Sequence, residues 1–380
     1  MNARNQLTRE YRICSRCVMD TSDRGILFDE NGVCNHCHNY EIISKRVLLP
    51  PEIAQEKLLQ IIEKIKRDGE KQEYDCIIGL SGGIDSSYLA LQAKNFGLRP
   101  LAVHFDNGWN SEISVKNIEN IVKKLGFDLF TYVIDWEEFK DLQRSFFKAS
   151  VVDIELLTDN AIFTSLYKLA RQHKIKYSLE GHNIVTESIM GKDWNYWKFD
   201  LKNIKAIQKE FGTLKIKSFP TMGPWKRLFL QVMKIIEPVY ILNFLEYDKK
   251  KAMETLEKEL EWKYYGGKHY ESVFTKFYQA YVLPTKFGID KRRAHLSNLI
   301  CSGQLTREEA VVELEREIYP QDELRKDKEY VVKKLGFSEE EFDDIMQQSP
   351  KSHMDYPNDW ESYHRIVDSI KNLKCSVRRR

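Results

Sequence analysis

The stretch from residue 74 to residue 89, Y-D-C-I-I-G-L-S-G-G-I-D-S-S-Y-L, constrains the fold more than any other part of the chain. Its residues 76–80 form a short apolar run, which predicts a buried β-strand. The run ends at the turn S-G-G, and the residues D-S-S then begin a helical pattern. In such a strand–turn–helix unit, glycines let the backbone approach a ligand closely, and the unpaired N–H groups and dipole of the new helix face an anion. The stretch therefore predicts an anion-binding loop in an α/β fold.

The side chains of this loop fit a pyrophosphate group. A Walker-type loop, G-x-x-x-x-G-K-[ST], uses its lysine on the β and γ phosphates, whereas this loop has no lysine and carries a carboxylate and three hydroxyl groups. Hydroxyl and backbone N–H groups can bind a pyrophosphate, and Asp85 can bind a Mg²⁺ ion that bridges its oxygens. The alternative is a glycine-rich turn that only closes a βα unit. The residues expected to bind the pyrophosphate and its Mg²⁺ are Ser81, Gly82, Gly83, Asp85, Ser86 and Ser87.

Composition and charge narrow the classes of function. The 380 residues allow one large unit or two to three smaller ones. Lys and Arg number 59 against 57 for Asp and Glu, and the net charge of +2 provides no strong field for nucleic acid or a membrane surface. The most apolar segment, 228–245, is interrupted by Lys234, Glu237 and Pro238, so no membrane span is expected. The first ten residues lack the apolar stretch of a signal peptide, so a cytoplasmic protein is expected.

Two C-x-x-C pairs near the N-terminus predict a zinc site. Sixteen residues separate the pairs, and this spacing is typical of a zinc ribbon with four thiolate ligands. A segment of this size cannot bury enough core to hold itself, whereas a structural zinc supplies roughly 10–16 kcal/mol. The alternatives are unliganded thiols or a redox pair, and the neighbouring His36 and His38 are less suited as ligands than the cysteines. The expected ligands are Cys14, Cys17, Cys34 and Cys37.

A second parallel strand is expected at 99–106, and it ends in a polar loop. In open α/β sheets, ligands bind beyond the carboxyl ends of the strands. His104, Asp106 and Asn107 are therefore expected to face the same crevice as the anion-binding loop. The alternative is a turn that only caps the next helix. Further strands are expected at 128–134 and 176–179, with helices at 118–125 and 156–170.

The string S-G-G-I-D-S-S resembles the PP-loop of the ATP pyrophosphatase superfamily, which includes GMP synthetase, NAD synthetase, asparagine synthetase and tRNA thiolases. The residues E-G-H-N-I-V-T-E at 180–187 resemble a second motif of that superfamily. The resemblance implies that His182 and Asn183 line the phosphates and that Glu187 joins Asp85 on Mg²⁺. It also implies that the end of the strand at 99–106 meets adenosine. The alternative for Glu187 is an exposed acid on a helix face.

Over nearly its whole length the chain resembles the N-acetyl sugar amidotransferase family of lipopolysaccharide, O-antigen and pseudaminic or legionaminic acid biosynthesis. The likeness rests on the paired cysteines, the PP-loop and three C-terminal strings, G-G-K-H-Y-E-S at 266–272, L-P-T-K-F-G-I-D-K-R-R-A-H-L-S at 283–297 and S-G-Q-L-T-R-E-E-A at 302–310. It implies that the acetamido group of a nucleotide-activated N-acetyl sugar becomes an acetamidino group. ATP would activate the amide oxygen as an adenylate, ammonia would attack the carbon, and AMP would leave.

The residues that assist the adenylate are harder to choose. Lys268, Lys291 and Arg292 lie in glycine-flanked basic strings suited to phosphate contact, although a solvated face is an equal alternative. The aromatic stretch 193–199 could stack a base or sugar, or could be packing.

We expect three regions: a zinc ribbon at 1–49, a Rossmann-like PP-loop domain with a parallel sheet at 50–260, and a mainly helical substrate or partner region at 261–380.

The cysteines do not predict a glutaminase in this chain. An N-terminal nucleophile is not expected because residue 2 is Asn, Cys76 lies inside a strand, and Cys301 and Cys375 lack the context of a nucleophile elbow. The family resemblance implies a separate glutaminase subunit and a cyclase-like subunit that channels ammonia. Two rival functions are a tRNA thiolase of the same superfamily and a non-enzymatic zinc-ribbon binding protein.

Overall fold

A five-stranded parallel sheet lies at the centre of the computed structural model, which describes residues 10–267 and 270–377, the last eight by their backbone alone. The strands are β1 Cys76–Gly79, β2 Pro100–Asp106, β3 Asp128–Val133, β4 Tyr177–Leu179 and β5 Glu237–Val239. Their order in the sheet is β3-β2-β1-β4-β5, and every neighbouring pair is parallel. Ile77 of β1 pairs with Leu101 on one side and with Ser178 on the other. The first four confirm the predicted strands within about one residue, whereas β5 was not predicted.

The strand order reverses at β1. The chain moves outward through β2 and β3 and then returns to the other side of β1 with β4 and β5. At such a reversal the loops that follow the two central strands diverge and leave a crevice beyond their carboxyl ends. The loop S-G-G-I-D-S-S follows β1, and residues 180–187 follow β4. The topology therefore brings together the two sequence strings that were predicted to bind nucleotide.

Helices make up most of the remaining described chain. The α-helices are α1 Asn35–Val47, α2 Pro51–Gly69, α3 Ile84–Asn95, α4 Glu112–Leu125, α5 Trp136–Ala149, α6 Leu156–Gln172, α7 Ile184–Glu187, α8 Leu201–Phe211, α9 Pro224–Val232, α10 Lys249–Leu260, α11 Val273–Phe277, α12 Arg292–Cys301, α13 Arg307–Glu315, α14 Gln321–Leu335, α15 Glu339–Gln347 and α16 Trp360–Val377. A π-helix spans Tyr278–Phe287, and short 3-10 helices span Ile241–Phe244 and His353–Asp355.

Helices cover both faces of the sheet, because side chains alternate along a strand. Cys76 and Ile78 of β1 join a core with α2, α3, α4 and α10, whereas Ile77 joins a second core with Leu166 and Leu169 of α6. These layers confirm the predicted α/β class with a parallel sheet. The described residues after 303 are mainly helical, as predicted.

The N-terminal segment is irregular until α1 and is held by two isolated bridges, Ile13 with Asp20 and Phe28 with Cys34. A third hydrophobic core joins its four cysteines to residues of the C-terminal helices, such as Phe277 and Phe342. The boundaries proposed near residues 49 and 260 stay predictions. In the part of the chain that the structure describes, no helix combines the length and apolar character needed to cross a membrane.

Candidate active site

A cavity lies beyond the carboxyl ends of β1 and β4 and is closed on one side by α12. It is lined by the loop after β1, by the segment after β4 and by residues from the C-terminal half of the chain. The lining residues are Ser81, Gly83, Ile84, Asp85, Ser86, Gly181, His182, Thr186, Glu187, Lys249, Tyr265, Glu271, His295 and Leu299. The crevice that parallel topology predicts is therefore present, and residues far apart in the sequence line it.

The loop after β1 is organised by its own hydroxyl groups. The Oγ atoms of Ser81 and Ser86 lie 3.1 Å apart, and the backbone N–H of Gly83 donates to Ser81 Oγ over 3.2 Å. Gly83 is the N-cap of α3 and supplies no side chain to cap it. Because a helix leaves its first N–H groups without intrahelical partners, the start of α3 provides donors and a positive dipole end at the cavity.

Gly82 fixes the path of the loop. Its φ angle is +78°, and a Cβ there would lie 2.6 Å from the carbonyl oxygen of Ser114 in α4. Its own carbonyl oxygen accepts hydrogen bonds from Trp262 Nε1 over 2.8 Å and from Asn117 Nδ2 over 3.4 Å. Only glycine fits here, because the backbone is left-handed and another backbone atom occupies the space of a side chain.

Asp85 is held from two sides. Its Oδ1 accepts a hydrogen bond from Asn183 Nδ2 over 3.2 Å and another from the hydroxyl group of Tyr247. Asn183 is fully buried, and its Oδ1 also accepts from the backbone N–H of Thr186 over 3.0 Å as the N-cap of α7. Asn183 therefore links α3 to α7 instead of lining the cavity, and its predicted phosphate contact stays a prediction.

Glu187 lines the same cavity as Asp85 and accepts a hydrogen bond on Oε2 from His182 Nδ1 over 2.8 Å. Two carboxylates from α3 and α7 thus face a space that also receives the N-terminus of α3. This donor set fits Mg²⁺, which binds one or two carboxylates while its remaining positions go to phosphate oxygens and water. Asp85 and Glu187 are the residues that would hold the ion.

Ser87 lies at the first turn of α3 but is fully buried and does not line the cavity. Its contact with nucleotide stays a prediction. Ser81, Gly83, Asp85, Ser86 and His182 are brought together at the cavity, and Gly82 supports them from behind.

Several residues at the cavity were not among those predicted. Lys249, Tyr265, Glu271 and His295 line it, and Tyr247 lies beside it through its hydrogen bond to Asp85. Only Glu271 and His295 lie in strings that had been singled out. A Cβ on Gly83 would lie 3.2 Å from both Glu271 Oε1 and Tyr265 Oη, so these groups stand directly over the loop. No periodic pattern marks the two tyrosines or the lysine, because tertiary folding alone brings them to the cavity.

Burial raises the pKa of Tyr247 far above its usual range, and the neighbouring charge of Asp85 raises it further. Burial, followed by the charge of Glu271, raises the pKa of Tyr265 in the same direction. Both phenols therefore keep their protons at neutral pH. Tyr247 remains a hydrogen-bond donor to Asp85, and Tyr265 presents its oxygen to the backbone N–H of Ile84 over 3.3 Å.

His104, Asp106 and Asn107 stabilise the turn after β2, and none of the three lines the cavity. His104 Nδ1 lies 3.1 Å from the carbonyl oxygen of Leu80, and burial lowers the pKa of this imidazole. Asp106 Oδ1 accepts from the N–H of Gly108 over 2.9 Å, and Asn107 Oδ1 accepts from the N–H of Trp109 over 3.1 Å. Their contact with adenosine stays a prediction.

Of the three cations chosen from the sequence, Lys291 and Arg292 are not among the lining residues. Lys291 Nζ lies 3.0 Å from Glu155 Oε2. Arg292 Nη2 lies 2.8 Å from Asp290 Oδ2, and its guanidinium group also donates to three carbonyl oxygens between residues 313 and 316. Lys268 lies outside the described residues. Local partners occupy Lys291 and Arg292, so their contact with the adenylate stays a prediction.

The aromatic stretch 193–199 belongs to the packing. Trp194 and Phe199 are buried, and the ring of Tyr196 stacks on His353 with centroids 4.2 Å apart. Of the two interpretations left open by the sequence, packing agrees with this arrangement.

The four cysteines of the paired motifs form a tight, buried cluster. Their Sγ atoms all lie within 4.8 Å of one another, and the Cys17–Cys34 and Cys34–Cys37 separations are 3.6 and 3.8 Å. A tetrahedral zinc with Zn–S bonds of about 2.3 Å requires sulfur atoms about 3.8 Å apart. The backbone N–H groups of Cys17 and Cys34 donate to Cys14 Sγ over 3.4 and 3.2 Å, as suits a thiolate. The cluster therefore fits the predicted zinc.

The two histidines beside the second cysteine pair are engaged elsewhere. His36 Nε2 lies 2.6 Å from Asp23 Oδ2, and His38 Nε2 lies 2.9 Å from Asp29 Oδ2. A fifth thiol, Cys301 Sγ, lies 3.8 Å from Cys37 Sγ. It belongs to α12, so the cysteine cluster contacts the helix that also lines the cavity.

Three of the solved structures that are similar to this chain all have low TM-scores. The first is NMN synthetase from Francisella tularensis, at 21% identity and a TM-score of 0.29 over 36% of this chain; the match spans 56% of that protein's length. The second is NH3-dependent NAD synthetase from Campylobacter jejuni, at 15% identity and a TM-score of 0.30, covering 56% of this chain and 94% of that chain. The third is a predicted subunit of tRNA methyltransferase from Methanocaldococcus jannaschii, at 18% identity and a TM-score of 0.27, covering 47% and 72%.

A search of curated proteins finds no match. A protein-family model, described as "LPS biosynthesis protein WbpG-like, C-terminal domain", matches residues 271–367. The matched segment begins at Glu271 and contains His295 and Leu299, so it supplies one wall of the cavity. It confirms, over about a quarter of the chain, the resemblance to lipopolysaccharide biosynthesis proteins that the sequence strings indicated. Residues 271–367 are therefore similar to the C-terminal domain of WbpG-like lipopolysaccharide biosynthesis proteins.

Proposed function

We propose that the protein is the synthetase component of an ATP-dependent amidotransferase in lipopolysaccharide biosynthesis. It adenylates the acetamido oxygen of a nucleotide-activated N-acetyl sugar and uses ammonia to form an acetamidino group, with release of AMP and pyrophosphate. The observation that carries the proposal is the shared cavity, in which a PP-loop-like turn and two carboxylates face a wall built by the WbpG-like domain. We place this reaction in the cytoplasm.

The phosphates would lie at the start of α3. The backbone N–H groups of the loop and the hydroxyls of Ser81 and Ser86 would bind the diphosphate that leaves, while Asp85 and Glu187 would hold Mg²⁺. A bound Mg²⁺ neutralises charge on the phosphate oxygens. Tyr247 and Asn183 hold Asp85 in place through their hydrogen bonds, so that it need not reorient during the reaction.

The reaction balances without a protein nucleophile. The amide oxygen attacks the α-phosphorus, and the bond between that phosphorus and the bridging oxygen breaks to release pyrophosphate. Ammonia then attacks the amide carbon, loses a proton, and the carbon–oxygen bond to AMP breaks. Glu271 and His295 line the cavity from the WbpG-like wall and are placed to accept that proton. Positioning and charge neutralisation would supply most of the rate enhancement.

Ammonia would come from partner subunits, a glutaminase and a cyclase-like channel protein. Cys76 is buried inside β1, and burial raises the pKa of its thiol, so it is not an accessible nucleophile. Cys301 packs against Cys37. Purified chain alone should turn over sugar with ammonium but not with glutamine, and glutamine-dependent turnover without any partner would contradict this division of labour.

The cavity disfavours the rival thiolase function. Among the residues that line it in the described chain, none is a cysteine that could carry sulfur. A tRNA thiolase would in addition co-purify with tRNA or show an iron–sulfur chromophore, and either observation would reverse this preference.

The direct test is to incubate the protein with ATP, Mg²⁺, ammonium and a panel of nucleotide sugars. AMP formation should accompany the mass change expected when NH replaces the amide oxygen. Asp85→Asn should abolish AMP formation and leave the zinc content unchanged. Asp322→Asn, which alters an aspartate 91% exposed at its side chain, is the matched control and should behave as wild type. Formation of ADP and orthophosphate, or retained AMP formation in Asp85→Asn, would contradict the proposed chemistry.

A further inference from the structure

We propose that residues 292–304 couple the four-cysteine ribbon to the nucleotide cavity, so that metal occupancy of the ribbon sets the affinity for nucleotide. This segment comprises α12 and the turn that follows it. The inference rests on the proposed nucleotide site but does not depend on which sugar accepts the adenylate. The segment makes three sets of contacts: those to the ribbon, those to the end of α7 and those to the segment around Tyr247.

Toward the four-cysteine ribbon, side chains of α12 form hydrogen bonds with the backbone that follows Cys17. The N–H of Val18 donates to Ser297 Oγ over 3.2 Å, and the carbonyl oxygen of Val18 accepts from Arg293 Nη1 over 2.9 Å. Arg293 Nε also lies 2.9 Å from Asp20 Oδ2, whose side chain is 3% exposed. Val18 is fully buried. A loop held at both its N–H and its C=O has a fixed position on the helix.

The start of α13 binds the cysteine knuckle itself. Arg307 Nε donates to the carbonyl oxygen of Cys17, and Arg307 Nη2 donates to that of Cys14, each over 3.3 Å. At the other end of the contact, Cys301 Sγ lies 3.8 Å from Cys37 Sγ. The carbonyl oxygens that receive Arg307 therefore belong to two of the predicted metal ligands.

Toward the cavity, α12 fixes the end of α7. Asn298 is fully buried, and its Oδ1 accepts from the N–H and the Oγ of Ser188 and from the N–H of Ile189, each over 2.9 Å. Its Nδ2 donates to the carbonyl oxygen of Ile189 over 3.3 Å. These two residues directly follow Glu187, so the side chain of Asn298 sets where the second carboxylate stands.

The turn after α12 fixes the opposite side of the cavity. Gln304 Oε1 accepts from the backbone N–H of Lys249 over 3.0 Å, and Gln304 Nε2 donates to the carbonyl oxygen of Tyr247 over 2.8 Å. Tyr247 in turn donates its hydroxyl hydrogen to Asp85. Meanwhile α12 itself contributes His295 to the cavity wall. One segment therefore positions both carboxylates and part of the wall.

Metal binding should act through this segment because the ribbon has little structure of its own. Its described part before α1 is irregular and held by two isolated bridges, so metal is needed to fix the knuckle carbonyls that Arg307 and Arg293 bind. Without metal, α12 loses its support and the cavity loses its geometry. Thermodynamic linkage requires the reverse as well: nucleotide must strengthen metal binding by the same factor.

The first experiment measures this linkage in the full chain. We would remove the metal with a chelator, transfer the protein into Mg²⁺ buffer, and titrate it with a non-hydrolysable ATP analogue before and after adding Zn²⁺ back. The analogue should bind about tenfold more weakly to the stripped protein, within the usual range of coupling between sites. Zinc should restore the affinity, and the analogue should slow zinc transfer to a chromogenic chelator. Equal affinities with and without zinc would overturn the coupling.

A second experiment keeps the metal and weakens the connection. Arg293→Ala should retain zinc but bind the analogue about tenfold more weakly, and Arg293→Lys should recover part of the loss because the charge facing Asp20 remains. Arg325→Ala is the matched control, since its side chain is 78% exposed and pairs only loosely, at 3.7 Å, with Asp322. Zinc-loaded Arg293→Ala with the affinity of Arg325→Ala would overturn the proposal.

These outcomes separate the coupling from the proposed reaction. A wild-type chain that binds the analogue in a zinc-dependent way but modifies no sugar would refute the proposed acceptor and support the coupling. A chain that modifies sugar with an affinity for nucleotide independent of zinc would do the opposite.

Discussion

Replacing Gly82 by alanine should destabilise the protein and weaken nucleotide binding. The φ angle of +78° costs an L-residue about 1–2 kcal/mol. Alanine recovers about 0.4–1 kcal/mol by restricting the unfolded chain. The Cβ would stand 2.6 Å from the carbonyl oxygen of Ser114, and relieving overlap in a packed interior costs about 1–3 kcal/mol. The free energy of unfolding should therefore fall by about 3 kcal/mol.

Gly126→Ala is the matched control. Gly126 has a φ angle of +66°, but a Cβ there would meet no atom within 4 Å. The free energy of unfolding of Gly126→Ala should fall only by the cost of the left-handed backbone, which is about 1 kcal/mol after subtracting the gain from the restricted unfolded chain. The difference between the two variants therefore isolates the contact between Gly82 and α4.

The assay is urea unfolding followed by circular dichroism, with the slope compared between variants to check that the unfolded state is unchanged. Titration with an ATP analogue should show at least about a tenfold loss of affinity in Gly82→Ala, or about 1.4 kcal/mol, and no loss in Gly126→Ala. Equal destabilisation of both variants would refute the argument from Ser114. Unchanged nucleotide affinity in Gly82→Ala would refute the placement of the anion at this loop.

Three further predictions concern single side chains. Tyr247→Phe removes a hydrogen bond to the charged Asp85, worth about 1.5–3 kcal/mol, and should lower the rate of AMP formation at least about tenfold with zinc content unchanged. Burial lowers the pKa of His353 from 6.5 to about 4, so between these pH values the unfolded state binds more protons and the free energy of unfolding falls as the pH falls. His353→Gln should make the free energy of unfolding, measured by urea melts from about pH 4.5 to about pH 7, depend less on pH. An unchanged pH dependence would show that His353 is not responsible for it. Cys301→Ser should retain one zinc per chain by metal analysis, because the four paired cysteines suffice as ligands. Cys37→Ser should keep part of its zinc because Cys301 can take the place of Cys37, and replacing both cysteines should remove this zinc. Zinc loss in Cys301→Ser alone would show that the four paired cysteines do not suffice.

Local patterns predicted the frame of the site. The apolar run before S-G-G-I-D-S-S became β1, the glycine turn begins α3 at Ile84, and the paired cysteines form one cluster. In each case the signal lies within a few residues, because strand, turn and metal knuckle depend on short spacing. The two sequence motifs that were predicted to bind nucleotide, at 81–87 and 180–187, also lie next to each other as expected, since parallel strands end at the same edge of a sheet.

Side chains that support the site could not be predicted in this way. Tyr247 and Asp85 are 162 residues apart, and Asn298 reaches Ser188 across 110 residues. No periodic pattern in the sequence predicts contacts between residues this far apart. Arg292 was singled out as part of a basic string, and in the structure its guanidinium group contacts Asp290 and nearby carbonyl oxygens. Its contact with the adenylate therefore stays a prediction. A string of charges shows composition, whereas function depends on which partners the fold supplies.

The contact between Val18 and Ser297 spans 279 residues of chain, and this separation has a consequence for synthesis on the ribosome. The cysteine knuckles emerge well before α12 and can take up metal early, whereas Ser297 of the helix that covers them is made 279 residues after Val18. Until then the face around Val18 is uncovered. A chain truncated before α12 should therefore expose this face and need a chaperone to stay unaggregated, even with its metal in place.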